Sequence, residues 1–322
     1  MPVLSGHRPA DVRRAARLLA AGEPVAFATE TVYGLGARAD DDAAVARIYA
    51  AKGRPAGHPL IVHVADAAAA AHFAAVLGTP AQRLVKAFWP GPLTVIVPRA
   101  PGRGAAAAGG QDSIGLRMPA HPVALALLRE AAALGVPGVA APSANRFGRV
   151  SPTTAAHVVQ EFGPALAVLD GGACDIGIES AIVDCSRTQP ALLRPGQLGR
   201  QRIEAALGMA LAAPDAASPR ASGTLASHYA PSVPVRLFDT AAPPPATAAD
   251  GRWLGVYSRL APAAGAAWVH RAMPADAAAV AHELFAVLRD FDAAGVSAIW
   301  VERPPPGPEW DGVRDRLQRA AA

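Results

Sequence analysis

Aromatic residues, cysteines and long apolar runs are all scarce in this sequence. Aromatic side chains make up 5% of the 322 residues, so the core must be built mainly from Ala, Val, Leu and Ile. The two cysteines, Cys174 and Cys185, form no Cys-x-x-Cys motif, which excludes a cysteine zinc site and suits a reducing compartment. Because the N-terminus lacks a signal-peptide pattern and no apolar run is long enough to cross a bilayer, we expect a cytoplasmic protein without membrane contact.

Several standard site motifs are also absent. There is no Gly-Lys-Ser/Thr of a Walker loop, and Gly34-x-Gly36 lacks the third glycine of a dinucleotide fingerprint. His282-Glu283 has no second histidine at the spacing of a zinc site, and no strand carries the aromatic residues of an RNA-recognition surface. The net charge of +4 permits contact with anions or RNA but does not argue for it. No covalent nucleophile stands out, so the sequence favours chemistry by positioning and charge.

The length and the order of apolar patterns predict two domains. Residues 1–211 alternate strand and helix patterns, which indicates an α/β domain with a twisted mixed sheet and flanking helices. Residues 212–234 are rich in Pro, Gly, Ala and Ser and read as a linker, and residues 235–322 predict a small three-layer α/β module.

The expected elements follow from apolar periodicity and from Gly and Pro as stop signals. In the first domain helices are predicted at 11–21, 41–51, 67–77, 80–88, 122–134 and 153–162, and strands at 24–28, 60–64, 93–97, 113–119, 138–141, 165–169, 180–185 and 191–194. In the second domain strands are predicted at 235–238, 253–257, 267–270 and 298–301, and helices at 276–294 and 310–320.

The stretch Lys52-Gly53-Arg54-Pro55 carries the first candidate chemistry. Pro55 biases Arg54 towards an extended conformation, and in an extended segment residues two apart face the same side. Lys52 and Arg54 could then reach one anion together, which indicates phosphate binding. Taken alone, such a tetrapeptide is more often a solvated turn.

A second stretch, Ala141-Pro142-Ser143-Ala144-Asn145, repeats the two-residue spacing with a hydroxyl and an amide. If the two stretches face each other, Lys52, Arg54, Ser143 and Asn145 form a clamp for a polyanion. The alternative is that Ser143 and Asn145 simply bond nearby backbone in a turn or helix cap.

The linker contains an unusual aromatic group, Ser227-His228-Tyr229-Ala230-Pro231. An inert spacer has no need of a Tyr and a His. Tyr229 is interpreted either as a functional residue or as an anchor that fixes the linker on a domain surface.

These motifs together resemble those of the threonylcarbamoyl-AMP synthases, in the same order along the chain. The first two hundred or so residues resemble the YrdC-like domain of that family, and the linker and tail resemble its long form with an extra C-terminal domain. The stretches that carry the resemblance are Thr29–Gly36, Lys52–Pro55, His58–Leu60, Trp89–Thr94, Gly115–Pro119, Pro142–Asn145, Ser151–Thr153, Glu179–Asp184, Leu193–Gly196 and His228–Pro231.

The resemblance implies a nucleotidyltransferase reaction. L-Threonine, bicarbonate and ATP would give threonylcarbamoyl-AMP and pyrophosphate, and the product would supply the threonylcarbamoyladenosine modification beside the tRNA anticodon. Mg²⁺ is expected to arrive with the ATP, without a protein-held metal cage. The expected partner is the threonylcarbamoyl-transferase complex that modifies tRNA, and the mild basic charge leaves room for weak RNA contact.

The same resemblance assigns residues to three roles. The catalytic group would be Lys52, Arg54, Ser143 and Asn145. L-Threonine would be held by Thr31, His63, Arg117, Ala141 and Ser180, and ATP by Arg54, His58, Ser113, Ser143, Ser151, Arg194 and Tyr229. Without the family pattern, His63 would be read as a core histidine and Arg117 as part of a structural ion pair.

Two other functions remain open at this stage. One is the carbamoyl-adenylate chemistry of YrdC-like domains in hydrogenase maturation, although no acylphosphatase-like segment or zinc-finger cysteines accompany it here. The other is a non-enzymatic RNA-binding module, which the weak charge and few aromatic residues disfavour. Release of pyrophosphate from ATP, and its dependence on threonine, separates these functions.

Overall fold

A computed structural model describes residues 3–262 and 264–322 and contains two β-sheets. The first sheet and its helices contain β1 (Val3–Ser5), α1 (Pro9–Ala20), β2 (Val25–Phe27), β3 (Gly34–Arg38), α2 (Asp42–Lys52), β4 (Ile61–His63), α3 (Thr79–Phe88), β5 (Leu93–Pro98), β6 (Ser113–Arg117), α4 (Pro122–Ala133), β7 (Val139–Ala140), α5 (Ala155–Phe162), β8 (Ala167–Asp170), β9 (Ala181–Asp184), β10 (Ala191–Arg194) and α6 (Arg200–Leu207). The second contains β11 (Val235–Phe238), β12 (Leu254–Ser258), β13 (Trp268–Ala272), α7 (Ala277–Ala293), β14 (Ile299–Glu302) and α8 (Asp311–Ala320).

The first sheet has ten strands in the order β1-β8-β2-β3-β7-β4-β6-β5-β9-β10, with parallel and antiparallel neighbours. At its centre β4 pairs parallel with β6, so His63 lies directly beside Arg117. β2 delivers the segment Thr29–Thr31 just beyond its carboxyl end. The predicted α/β class with a mixed sheet is confirmed, and the register places the polar candidates at neighbouring strand ends.

Helices cover both faces of this sheet. On one face α1 and α4 pack Leu19 and Leu127 against Phe27 of β2. On the other, α2 and α3 contribute Ile48 and Leu84 to a second apolar cluster. Both clusters are dominated by aliphatic side chains, as the low aromatic content requires.

The second sheet is fully parallel, in the order β11-β14-β12-β13. Leu284 of α7 and Leu317 of α8 belong to one cluster with Ile299 of the sheet, so both helices pack on the same face. That cluster also contains Val32 and Ile178 of the first domain. The helices therefore lie between the second sheet and the first domain. Among the described residues no helix is long and apolar enough to cross a membrane.

Three features differ from the sequence-based expectations. The helix predicted over 67–77 is only a short 3₁₀ segment, Ala68–His72, because the chain then pairs with the end of β5: Ala74 forms an antiparallel bridge with Arg99, and the amide of Ala75 donates to the carbonyl oxygen of Pro98. The strands β1 and β3 and the helix α6 were not predicted. Strand β3 also brings Gly36 into a close contact that the sequence did not show: a methyl group on Gly36 would lie 2.7 Å from Val139 Cγ1 and 2.8 Å from Phe27 Cε1.

The close packing around Gly36 makes a testable prediction. Gly36→Ala should destabilise the protein by about 1–3 kcal/mol, because the added methyl group overpacks the contact between β3 and its neighbours. Gly199→Ala, where a Cβ would meet nothing within 4 Å, should change stability by less than about 1 kcal/mol. Urea unfolding followed by circular dichroism measures both; equal midpoints would contradict the packing account.

Candidate active site

Lys52 is the last residue of α2, and its position depends on how that helix begins and ends. Asp41 caps the first turn by accepting from the amides of Ala43 and Ala44. Gly53 ends the helix in the left-handed conformation with φ of 61°, which favours glycine. The predicted extended arrangement of Lys52 and Arg54 is therefore wrong, because a helix end and a left-handed turn separate them.

The Lys52 ammonium is nevertheless aimed at the second stretch. Its Nζ donates to the carbonyl oxygen of Ser143 at 2.6 Å and also to that of Asn145. Lys52 is only 3% exposed. Burial, and next the neighbouring charge of Arg54, lower the pKa of Lys52 well below its ordinary value. The two stretches thus meet, but the ammonium contacts backbone carbonyls rather than the Ser143 hydroxyl or the Asn145 amide.

Arg54 is buried and held mainly by backbone. Its Nη2 donates to the carbonyl oxygen of Pro59 at 2.9 Å, and its guanidinium lies 5.7 Å from the centre of the Phe147 ring. Burial lowers the pKa of Arg54 to about 10, so the guanidinium stays charged at neutral pH. Because neither of these partners is a carboxylate, the positive charge is not cancelled.

The side chain of Asn145 is partly satisfied by its own loop. Its Nδ2 donates to the carbonyl oxygens of Arg146 and Arg149 at 2.7 and 2.9 Å. Its Oδ1 is buried and has no hydrogen-bond donor among the described residues. Ser143 forms an isolated antiparallel bridge with Gly34, which fixes the loop against β3.

A cavity lies between these stretches, the strand ends and the linker, and we call it the binding chamber. The binding chamber is lined by Thr29, Thr31, Val32, Gly34, Arg54, Ile61, His63, Arg117, Ala141, Pro142, Ser143, Glu179, Ser180, Arg194, Ser222, Gly223, His228 and Tyr229.

All five residues predicted to hold threonine line the binding chamber: Thr31, His63, Arg117, Ala141 and Ser180. Arg117 Nη1 donates to Thr31 Oγ1 at 2.9 Å, and its Nη2 lies 2.7 Å from Oε1 of Glu30. Burial, and next Arg117, lower the pKa of His63 to about 3, so this imidazole is neutral. Its Nδ1 has no partner among the described residues.

Ser180 and Arg194 form the wall opposite the strand ends. Arg194 donates twice to the Ser180 carbonyl oxygen, at 3.0 and 2.9 Å, and its Nη1 donates to the Ser222 carbonyl oxygen at 2.8 Å. The Ser180 hydroxyl lies 2.9 Å from that of Thr94. Arg194 therefore joins β10 to the linker while its own charge stays unpaired in these contacts.

Of the residues predicted to bind ATP, Arg54, Ser143, Arg194 and Tyr229 line the chamber and three do not. Ser113 lines a small adjoining cavity that shares Ile61 and Ser222 with the chamber. His58 is half-buried and packs edge-on against Phe147. Ser151 is buried behind the wall and donates its hydroxyl to Glu179.

The linker closes one side of the binding chamber. Tyr229 is 1% exposed and stacks on Phe285 of α7 with ring centres 5.4 Å apart. It has φ of 63°, a left-handed conformation that is uncommon for a bulky residue. Gly223 also has positive φ, and a Cβ there would lie 2.2 Å from the Tyr229 hydroxyl. Tyr229 thus both lines the chamber and anchors the linker on the second domain.

Sequence reasoning missed two charged residues of this site, Glu179 and Arg316. Arg316 lies on α8, fully buried, with Nε 2.7 Å from Glu179 Oε2. Its helical face also carries Val313, Leu317 and Ala320, all buried. The feature of the sequence that could have identified Arg316 is an arginine among apolar residues on one face of a helix.

Comparison with known proteins gives matches along the whole chain. A family model described as "Telomere recombination" matches residues 17–196, and one described as "Threonylcarbamoyl-AMP synthase, C-terminal domain" matches residues 198–322. The chain is 42% identical over 234 residues to the threonylcarbamoyl-AMP synthase of Bacillus subtilis, covering 71% of this chain and 66% of that protein, slightly less than two thirds. It is 33% identical over 350 residues to that of Schizosaccharomyces pombe, covering 93% and 85%.

A solved structure covers both domains. The crystal structure of Pyrococcus abyssi Sua5 complexed with L-threonine matches with a TM-score of 0.89 at 33% identity, covering 100% of this chain and 98% of that chain. The arrangement of both sheets and the linker therefore resembles that of a protein that binds L-threonine.

The buried histidines of the chamber predict how the stability of the protein changes at acid pH. The pKa of both His63 and His228 is lowered from 6.5 to about 3, and the largest cause of each shift is burial. Between pH 6.5 and 3 the two imidazoles bind protons in the unfolded chain but not in the folded protein. The free energy of unfolding therefore decreases as pH falls through this range, by at most about 5 kcal/mol for each histidine. In His63→Gln and in His228→Gln the melting temperature should therefore fall less steeply with decreasing pH than it does in the wild-type protein. The exposed His7→Gln should retain it, and identical slopes in all variants would contradict the assignment.

Proposed function

The chain belongs to the threonylcarbamoyl-AMP synthase family, and we propose that it makes threonylcarbamoyl-AMP and pyrophosphate from L-threonine, bicarbonate and ATP in the binding chamber. Members of this family are enzymes that use ATP and serve tRNA modification. The proposal rests on one observation. A single cavity is lined both by cationic side chains that have no carboxylate partner and by the candidate threonine residues.

The threonine end of the chamber supports binding of an amino-acid zwitterion. Arg117 offers a guanidinium for the carboxylate, with Thr31 bonded beside it. His63 is a neutral imidazole whose unpartnered Nδ1 can accept a hydrogen bond from the amine or hydroxyl of threonine. Ala141 and Ser180 complete this wall.

The other end of the chamber supports binding of ATP. Arg54 and Arg194 supply fixed positive charge, and Ser143 and Tyr229 line the same space. The cavity beside Ser113 adjoins this end of the chamber, and we propose that the rest of the nucleotide extends towards Ser113. His58 and Ser151 lie outside the chamber wall, so their roles would be indirect unless the linker moves.

Lys52 and Asn145 sit immediately behind the wall and shape the Ser143 loop. In the proposed reaction the threonine nitrogen attacks the carbon of bicarbonate and loses a proton, while a C–O bond of bicarbonate breaks and water leaves. The carbamate oxygen then attacks the α-phosphorus. The bond to pyrophosphate breaks and its electron pair leaves with pyrophosphate. Negative charge grows on the phosphate oxygens and the leaving group, which preorganised cations and donors stabilise.

Magnesium is proposed to enter with the nucleotide rather than through a protein cage. No group of three or more His, Cys, Asp or Glu side chains among residues 3–262 and 264–322 could hold a metal ion. The one carboxylate on the chamber wall, Glu179, is already paired with Arg316. Mg²⁺ would therefore be held by the phosphates and would neutralise part of their charge.

The chain is proposed to work as a catalytic domain at 1–211, a lid at 212–234 and a second domain at 235–322. Ser222, Gly223, His228 and Tyr229 of the lid face the chamber. We place the reaction in the cytoplasm, where the two buried free thiols stay reduced and where the tRNA-modifying transferase would receive the product. Any contact with RNA would be weak, given the mild net charge of +4.

The central test replaces Lys52, one of only two lysines in the chain. Pyrophosphate release from ATP should require both threonine and bicarbonate, and Lys52→Ala should lower it by about a hundredfold because the Ser143 loop loses its ammonium. Lys86→Ala, on the exposed face of α3, is the matched control and should keep full activity. Release that ignores threonine would favour the hydrogenase-maturation chemistry, and no release would favour a binding module.

The lid makes a separate prediction. Tyr229→Gly removes the ring without backbone strain, since glycine accepts the positive φ. The KM for ATP should rise by roughly tenfold while the KM for threonine changes less, because Tyr229 lies at the nucleotide end with Arg194. Leu225→Ala, on an exposed part of the same linker, should leave both constants unchanged. An unaltered KM for ATP in Tyr229→Gly would remove the lid role.

A further inference from the structure

One negative charge lies on the wall of an otherwise cationic chamber. Among the described residues that line it, Glu179 is the single carboxylate, beside Arg54, Arg117 and Arg194. An unpaired carboxylate at this place would repel a triphosphate. The chain must therefore neutralise Glu179 if the chamber is to hold ATP.

The neutralising group comes from the last helix of the chain. Arg316 of α8 reaches out of the second domain and is 1% exposed. Its Nε donates to Glu179 Oε2 at 2.7 Å, its Nη2 to the Glu179 carbonyl oxygen at 3.1 Å, and its Nη1 to the Pro195 carbonyl oxygen at 3.0 Å. Nη1 also donates to Asp315 of its own helix at 2.6 Å, but Asp315 has a second cationic partner in Arg319 at 2.9 Å. The bonds to Glu179 and Pro195 fix the guanidinium to the first domain across 137 residues of sequence.

The same guanidinium also supports the lid. The guanidinium of Arg316 lies 5.3 Å from the centre of the Tyr229 ring. That ring stacks on Phe285 and forms part of the chamber wall. Ser151 donates its hydroxyl to the other oxygen of Glu179. Burial alone would raise the pKa of Glu179, but Arg316, Arg194 and this hydroxyl lower it, so the carboxylate stays ionised and paired.

We propose that Arg316 is a positioning residue of the nucleotide site, through which the second domain cancels the charge of Glu179 and holds Tyr229 in place. The second domain then sets the affinity for ATP without touching the nucleotide. This inference rests on the proposed function, since it assumes that the anion in the chamber is ATP.

The test measures nucleotide affinity separately from catalysis. Isothermal titration calorimetry of the full chain with a non-hydrolysable ATP analogue, without threonine, should show that Arg316→Met weakens binding by roughly tenfold or more. Arg316→Met combined with Glu179→Gln should restore the affinity to within about threefold, because no unpaired charge then remains. Binding of threonine alone should change little in either variant.

A second pair in the chain provides a matched control. Arg259 pairs with the buried Glu302 inside the second domain, so Arg259→Met also strands a buried carboxylate, but far from the chamber lining. It should lower the melting temperature without changing affinity for the analogue. Arg316→Lys keeps the charge but loses the forked contacts, so it should weaken binding less than Arg316→Met does. If Arg316→Met does not fold, Arg316→Gln removes the same charge and takes its place.

Each outcome is decisive. Unchanged affinity in Arg316→Met, or no recovery in the double variant, would overturn the inference and leave the proposed function intact. Equal weakening in Arg259→Met would show a general loss of stability and would also overturn it. If the wild-type protein does not bind the analogue at all, the proposed function itself fails.

Discussion

The site depends on keeping several cationic side chains out of water around one cavity. Lys52, Arg54, Arg117 and Arg194 are each at most 7% exposed, and a buried charge is costly unless its hydrogen-bonding groups are satisfied. Three of the four are satisfied mainly by backbone carbonyl oxygens, which occupy the N–H donors but cancel no charge. The cavity therefore keeps a net attraction for a multiply charged anion.

The two ends of the cavity differ in how their cationic side chains are paired. Arg117 is paired with the carboxylate of Glu30, so the end that holds it is close to neutral and suits a zwitterion. At the other end Arg54 and Arg194 have no carboxylate in their direct hydrogen bonds, which suits a triphosphate. An amino acid and a nucleotide would thus be sorted by local charge balance as well as by shape.

Local patterns in the sequence predicted most helices and strands, because apolar periodicity and the Gly and Pro stop signals act within a few residues. Short motifs at 52–55 and 141–145 indicated an anion site, and the other chamber residues were assigned only through the family resemblance. The motif at 52–55 gave the wrong geometry for Lys52 and Arg54, since Gly53 serves as a helix cap rather than as part of an extended run. Strand β3 was missed for a related reason. The need for Gly36 comes from Phe27 and Val139, and no local window shows that packing.

The charge balance of the chamber could not be predicted at all, since it is completed by residues far apart along the chain. Glu179 and Arg316 are separated by 137 positions, and closing so long a loop costs entropy that only a large contact can offset. The shared apolar cluster of α7 and α8 with Val32 and Ile178 provides that contact. Because the ion pair joins the two domains, the proposed nucleotide end of the cavity is complete only where the second domain is docked on the first.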